Sequence, residues 1–186
     1  MKKTLIVSLI ACIILIGSSL ALGQEDFIEL VKTGSLEEVK RAIEAGANVN
    51  ARDENGITPL MHAAWSNENP EVIKVLLDGG ANVDARDENG WTPLFWAAWS
   101  NENPEVIKVL LEAGANVDAR DKWGLTPLMQ AARKNQNPEV IKVLLDGGAD
   151  GKIRCKNGKT AFDYAKGNEH LQNTEVYWLL NDAQYL

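Results

Sequence analysis

Residues that usually carry chemistry are scarce in this chain. It has two histidines, His62 and His170, and two cysteines, Cys12 and Cys155. They do not recur at the short spacings of zinc sites, so we expect no metal and no cofactor. A nucleophilic Cys155 would need a base and an orienting group beside it, and the sequence places neither there. We therefore expect that the protein is not an enzyme.

Basic residues are also in deficit. The chain of 186 residues has 19 lysines and arginines against 26 aspartates and glutamates, which gives a net charge of −7. An acidic chain has no electrostatic attraction for a phosphate backbone, so we expect no nucleic-acid partner. The length and the 45% hydrophobic content fit one globular body.

The long apolar run lies at the N terminus. A positively charged start precedes Leu5–Ile16, and small residues follow. This layout is typical of a secretory signal peptide, so we expect residues 1–23 to be removed from an exported protein, periplasmic or secreted, that then has no membrane attachment. An uncleaved anchor is the alternative, because Thr4–Leu22 approaches the length of a spanning helix. Leu9–Cys12 resembles a lipoprotein box, but the apolar stretch before it is too short.

A 34-residue unit then recurs almost unchanged, starting at Gly56, Gly90 and Gly124. Each copy repeats Thr-Pro-Leu, Ala-Ala and Asn-Pro-Glu-Val-Ile at the same offsets. A fixed period of this length indicates stacked supersecondary units. Thr-Pro and Asn-Pro each predict a helix start, because a capping side chain precedes a proline at the first helical position. Each unit is therefore expected to form two helices and a hairpin loop, with Leu76, Leu110 and Leu144 buried between units.

These recurring words resemble the ankyrin repeat, although the unit is one residue longer than usual. The resemblance implies an all-α ankyrin-repeat solenoid of paired antiparallel helices with projecting hairpin loops. We expect about five repeats in residues 24–186, at 24–55, 56–89, 90–123, 124–157 and 158–186. The two end units depart from the Thr-Pro-Leu pattern, as caps that face water would.

The resemblance also implies a function. In this family the hairpin tips and the inner face of the first helices contact protein partners. We therefore expect a monomeric, non-enzymatic protein-binding module whose partner is unidentified. The matching positions are Arg52, Glu54, Asn55, Ile57, Trp65, Ser66, Arg86, Glu88, Asn89, Trp91, Trp99, Ser100, Arg120, Lys122, Trp123, Leu125, Arg133 and Lys134.

Tryptophan stands out at these positions, and it is common in binding hot spots because it offers a large flat surface with one donor. We expect Trp91, Trp99 and Trp123 to stay exposed and to contact the partner, and Trp96 to pack. Two alternatives remain for this face. Trp65 and Trp99 could stack and only stiffen it, or the rings could bind glycans. A thiol enzyme using Cys155 is a weaker alternative.

The charged loop residues have simple structural explanations. Arg52, Arg86 and Arg120 recur every 34 residues and could form a basic row, but we expect each to pair with the aspartate that follows it or with the equivalent aspartate of the next loop. The aspartates have the wrong spacing for a calcium loop, so we expect them to accept hydrogen bonds from their own turns. Cys155 replaces this aspartate in the last full unit.

Overall fold

The computed structural model describes residues 23–185. The predicted signal peptide falls before this range, outside the described residues apart from Gly23. The helices within the range are α1 (Gln24–Thr33), α2 (Leu36–Glu44), α3 (Pro59–Ser66), α4 (Pro70–Asp78), α5 (Pro93–Ser100), α6 (Pro104–Glu112), α7 (Pro127–Lys134), α8 (Pro138–Asp146), α9 (Ala161–Ala165) and α10 (Glu175–Ala183). None of these helices is both long and apolar enough to cross a membrane.

The helix starts follow the capping signals of the sequence. The hydroxyl of Thr92 accepts the backbone N–H of Phe95, and proline occupies the first position of α5. Asn103 caps α6 in the same way, because its Oδ1 accepts the N–H of Glu105 at 3.0 Å. The equivalent threonines and asparagines cap α3, α4, α7 and α8. Local sequence therefore sets where each helix of the repeat begins.

The helices form two stacked layers. The first helices of successive units, α1, α3, α5, α7 and α9, contact one another, and the second helices, α2, α4, α6, α8 and α10, form the other layer. Leu76, Leu110 and Leu144 are fully buried in the core, as expected. The described residues form helices in repeating pairs and no strands, which confirms the all-α solenoid.

A ladder of buried asparagines joins neighbouring units at the end of the first helices. The Nδ2 group of Asn101 donates to Ala64 O at 2.9 Å and to Asn67 O at 3.1 Å. Asn135 makes the same two contacts one unit later, with Ala98 O and Asn101 O. These side chains satisfy carbonyls that the helix ends leave unpaired, so they fix the spacing of the units.

The arginines of the loops do not pair with aspartates, and that prediction was wrong. Arg52 Nη1 donates to the carbonyl of Arg86 at 2.8 Å, and Arg86 Nη1 donates to the carbonyl of Arg120 at 2.8 Å. Arg120 Nη2 reaches the carbonyl of Arg154 at 2.6 Å. The aspartate oxygens already accept hydrogen bonds from their own turns and from side chains on or near the first helices. Each guanidinium bonds a carbonyl of the next loop instead. The arginines therefore link the loops as a row of side chain to backbone bonds.

Candidate partner-binding surface

Each hairpin tip is shaped by its aspartate. Asp87 Oδ1 accepts the N–H of Asn89 at 2.8 Å and the N–H of Trp91 at 2.9 Å. Asp53 and Asp121 make the equivalent pairs of bonds in their own turns. This confirms that the aspartates stabilise turns. The glycine at the end of the turn, Gly90, has φ +83°, a conformation that a side chain would strain.

The same loop position also contacts the first helix, nine residues further along the chain. His62 Nε2 lies 2.9 Å from Asp53 Oδ2, and Trp96 Nε1 donates to Asp87 Oδ2 at 3.2 Å. In the last unit the Cys155 thiol lies 3.4 Å from the Tyr164 hydroxyl. These bonds tie three of the hairpin loops to the first helix that follows each of them. They hold the hairpin tips and the adjacent side of the first helices in a fixed relation. Together these two parts form what we call the concave face.

Four tryptophans form one aromatic cluster across two units. The rings of Trp65 and Trp99 stack, with centroids 6.1 Å apart and planes 13° apart. Trp91 lies 4.8 Å from Trp96 and 5.4 Å from Trp99, edge to face in both pairs. Such arrangements stabilise beyond the burial of apolar area. The stacking alternative for Trp65 and Trp99 is therefore present in the structure.

The exposure of the tryptophans only partly follows expectation. Trp123 is 52% exposed, and Trp96 is buried at 9%, both as expected. Trp91 and Trp99 are partly buried, which corrects the expectation of substantial exposure. The reason is that the side chain of Trp91 packs against other side chains and does not project into solvent. Its ring packs against neighbouring aromatic rings, and its Nε1 donates to Asp121 Oδ2 of the next hairpin loop at 3.2 Å.

The other expected contact positions divide by burial. Leu125 is buried at 8% and belongs to the core, so it offers little surface to a partner. Ile57 is partly buried and packs with Trp96 and its neighbours. The remaining positions are exposed: Arg52, Glu54, Asn55, Trp65, Ser66, Arg86, Glu88, Asn89, Ser100, Arg120, Lys122, Arg133 and Lys134.

A groove of about 920 Å³ opens on the concave face between the second and the last unit. Its lining combines three tryptophans with cationic and polar side chains from the following units: Trp91, Trp99, Trp123, Leu125, Gln130, Arg133, Lys134, Cys155, Asn157, Lys159, Asp163, Tyr164 and Gly167. The volume lies in the upper part of the usual range for ligand sites. The sequence reasoning missed Gln130, Lys159 and Tyr164. The signal for Tyr164 was its nine-residue offset from Cys155, the same offset that separates Asp53 from His62 and Asp87 from Trp96.

The titratable groups at the far end of the groove are held by hydrogen bonds. The Lys166 ammonium, 2.9 Å from Asp163, and the backbone N–H of Thr160 lower the pKa of that carboxyl to about 2. Burial and the bond to Cys155 raise the pKa of Tyr164 to about 12. Burial acts to raise the pKa of Cys155, but hydrogen bonds from Tyr164 and from backbone N–H groups outweigh it and lower the pKa. Asp163 is thus a paired anion at neutral pH.

Comparison with known protein families matches most of the repeats. A family model described as ankyrin repeats in three copies matches residues 27–121, and a second, described as ankyrin repeats in many copies, matches residues 97–165. The chain belongs to the ankyrin repeat family. Ankyrin repeats are generally protein–protein interaction modules and are typically not enzymes. No curated protein matches the chain.

Residues for metal chemistry do not gather in the described part of this ankyrin repeat protein. Within residues 23–185, no group of three or more histidine, cysteine, aspartate or glutamate side chains is placed to hold a metal ion. The side chain bonded to Cys155 is a tyrosine hydroxyl with a raised pKa, which is a poor general base at neutral pH. Tyr164 therefore does not supply a base for the Cys155 thiol.

Proposed function

We propose that this ankyrin repeat protein is an exported, non-enzymatic module that binds a protein partner through its concave face. The observation that carries the proposal is the groove lined by Trp91, Trp99 and Trp123. Trp123 keeps half of its surface exposed in the free chain. Exposed aromatic rings beside polar groups are typical of binding hot spots. Export is supported by the charged and apolar start of the sequence.

The division between repeated and variable positions supports the same proposal. Core positions such as Leu76 and Leu110 are identical between units. The positions on the concave face change: Trp65 and Trp99 become Arg133 in the third unit. In a solenoid each unit contacts only its neighbours, so surface positions can vary without loss of the fold. Several of the positions that differ between units lie on this face, as is expected of a binding surface.

A cross-linking experiment tests the location of the site. A photoreactive amino acid is placed at Lys134, at the edge of the groove, and in a matched variant at Lys152, which is exposed but lies outside the groove. Illumination in an extract of exported proteins should give a discrete cross-linked product from the groove position only. Equal amounts of cross-linked product from both positions, or a product from Lys152 alone, would contradict a binding site on the concave face.

Glycan binding is the second candidate, because the exposed ring of Trp123 could stack on a sugar. Tryptophan fluorescence separates the two functions. If protein binding is correct, the purified cross-linking partner should change the emission, while simple sugars at high concentration should leave it unchanged. Saturable quenching by a sugar, lost in Trp123→Ala, would favour the glycan function.

A further inference from the structure

The concave face changes sign along the solenoid. At the hairpin tips, Glu54 and Glu88 of the first two loops are replaced by Lys122 and Lys156 in the next two. At the ends of the first helices, Trp-Ser in α3 and α5 becomes Arg133-Lys134 in α7. The C-terminal half of this face is therefore cationic, although the whole chain carries a net charge of −7. This local excess of positive charge creates an electrostatic field that attracts an anionic partner.

Arg133 and a further cation, Lys159, lie over one aromatic ring at the groove. The Arg133 guanidinium lies 6.0 Å from the centroid of Tyr164, and the Lys159 ammonium lies 5.5 Å from the same centroid. Neither takes part in any of the ion pairs found within residues 23–185. The carboxylate in the groove, Asp163, is bound by Lys166. The two cations consequently keep their capacity to bind a carboxylate from outside.

The rest of the groove offers aromatic surface for apolar contacts and contains a buried acceptor without a donor. Trp123 is half exposed beside Trp91 and Trp99. Gln130, which is only 3% exposed, also lines the groove, and its Oε1 is buried without a hydrogen-bond partner in the described residues. A buried acceptor without a donor is energetically costly. A peptide carries backbone N–H groups, carboxylates and apolar side chains together.

We propose that the groove binds an acidic peptide segment of the partner protein, with its carboxylates at Arg133 and Lys159 and an aromatic or large apolar side chain against Trp123. This inference rests on the proposed function and adds the chemistry of the partner. The N-terminal half of the face, with Glu54 and Glu88 at its tips, repels the same segment and so sets where along the solenoid it binds.

Fluorescence anisotropy with labelled synthetic peptides tests the chemistry. The probe is a short peptide that repeats Glu-Tyr-Glu-Ser, and the matched peptides carry Gln or Lys in place of Glu. The Glu peptide should bind, and its affinity should fall as salt is added. It should bind at least roughly tenfold more tightly than the Gln peptide. Equal affinity for the Glu and Gln peptides, or preference for the Lys peptide, would overturn the proposal. Binding of a sulfated oligosaccharide in place of every peptide would also overturn it and favour an anionic glycan.

Charge-reversal variants locate the contact. Arg133→Glu with Lys159→Glu reverses two cations in the groove, and Lys142→Glu with Lys152→Glu makes the same change of net charge outside it. The groove pair should lose roughly tenfold or more in affinity for the Glu peptide, and the outer pair should lose less than about twofold. Equal losses would show that only overall charge matters and would contradict the assignment.

The milder pair Arg133→Gln with Lys159→Gln covers the case in which reversal disturbs the fold, which thermal melting would reveal. This variant should also lower the affinity for the Glu peptide, and unchanged affinity would overturn the proposal.

The experiments distinguish failure of this inference from failure of the proposed function. A groove cross-link to a partner combined with no binding of the Glu peptide leaves the protein-binding function standing and removes the acidic segment. No groove cross-link removes the function itself.

Discussion

Trp65 and Trp99 stack across the 34-residue spacing of two units, with ring centroids 6.1 Å apart. The contact joins the ends of α3 and α5 on the concave side. It explains why a face rich in large aromatic side chains can remain ordered while part of its surface is open. Trp65 is 37% exposed, so the stack stiffens the face and still offers one ring to a partner.

Leu110→Ala should destabilise the protein by roughly 2–5 kcal/mol, because it leaves a cavity at a fully buried position between units. Leu111→Ala is the matched control, since the neighbouring leucine on α6 is only partly buried and should cost less. Urea unfolding followed by circular dichroism measures both. Equal midpoints for Leu110→Ala and the parent would contradict the packing of the second helices.

Asn101→Asp should also destabilise the solenoid. The change keeps the shape of the side chain but removes the Nδ2 donor that serves Ala64 O and Asn67 O. An unsatisfied buried group costs about 1–3 kcal/mol, and a charge at this buried site adds to it. Ser100→Ala on the exposed neighbour is the control. An equal fall in melting temperature in both variants would show that the asparagine ladder contributes no more to stability than an exposed side chain.

His62 should make the stability of the protein depend on pH. Burial lowers the pKa of His62, and the hydrogen bond to Asp53 offsets part of that effect. The unfolded chain therefore binds a proton at a higher pH than the folded chain does. Stability should fall as the pH drops below the usual histidine value of about 6.5, until the lowered folded pKa is passed.

His62→Gln is the matched variant for this pH effect, because the third unit already has glutamine at the equivalent position, Gln130. The slope of unfolding free energy against pH in the weakly acidic range should become shallower in the variant. The slopes, and not the absolute stabilities, are compared, since the substitution also changes packing. Identical slopes would show that His62 is protonated equally in both states.

Local signals predicted much of the fold. Thr92 and Asn103 cap helices because each cap is a contact within a few residues, which the order of side chains alone determines. The burial of Leu110 followed from the helical spacing of apolar residues. These features repeat with the unit, so one copy predicts the others.

Contacts between successive hairpin loops were harder to predict. Trp91 was expected to project, but its indole reaches Asp121, thirty residues away in the sequence. The arginine of each loop bonds a carbonyl 34 residues further on, and no local pattern distinguishes a carbonyl from a carboxylate as its acceptor. The groove depends on the same long-range geometry, since Trp99 and Lys159 come from different units.

The central claim is that a partner binds the aromatic groove, and the affinity of the Trp123→Ala variant for the cross-linked partner tests it most directly. Trp123 is half exposed, so its removal should leave the melting temperature nearly unchanged. Trp178→Ala is the control, because Trp178 is 59% exposed on α10 and is not part of the groove. Calorimetric titration should show a loss of about 2 kcal/mol or more for Trp123→Ala and little change for Trp178→Ala. Parental affinity in a folded Trp123→Ala variant would contradict the account.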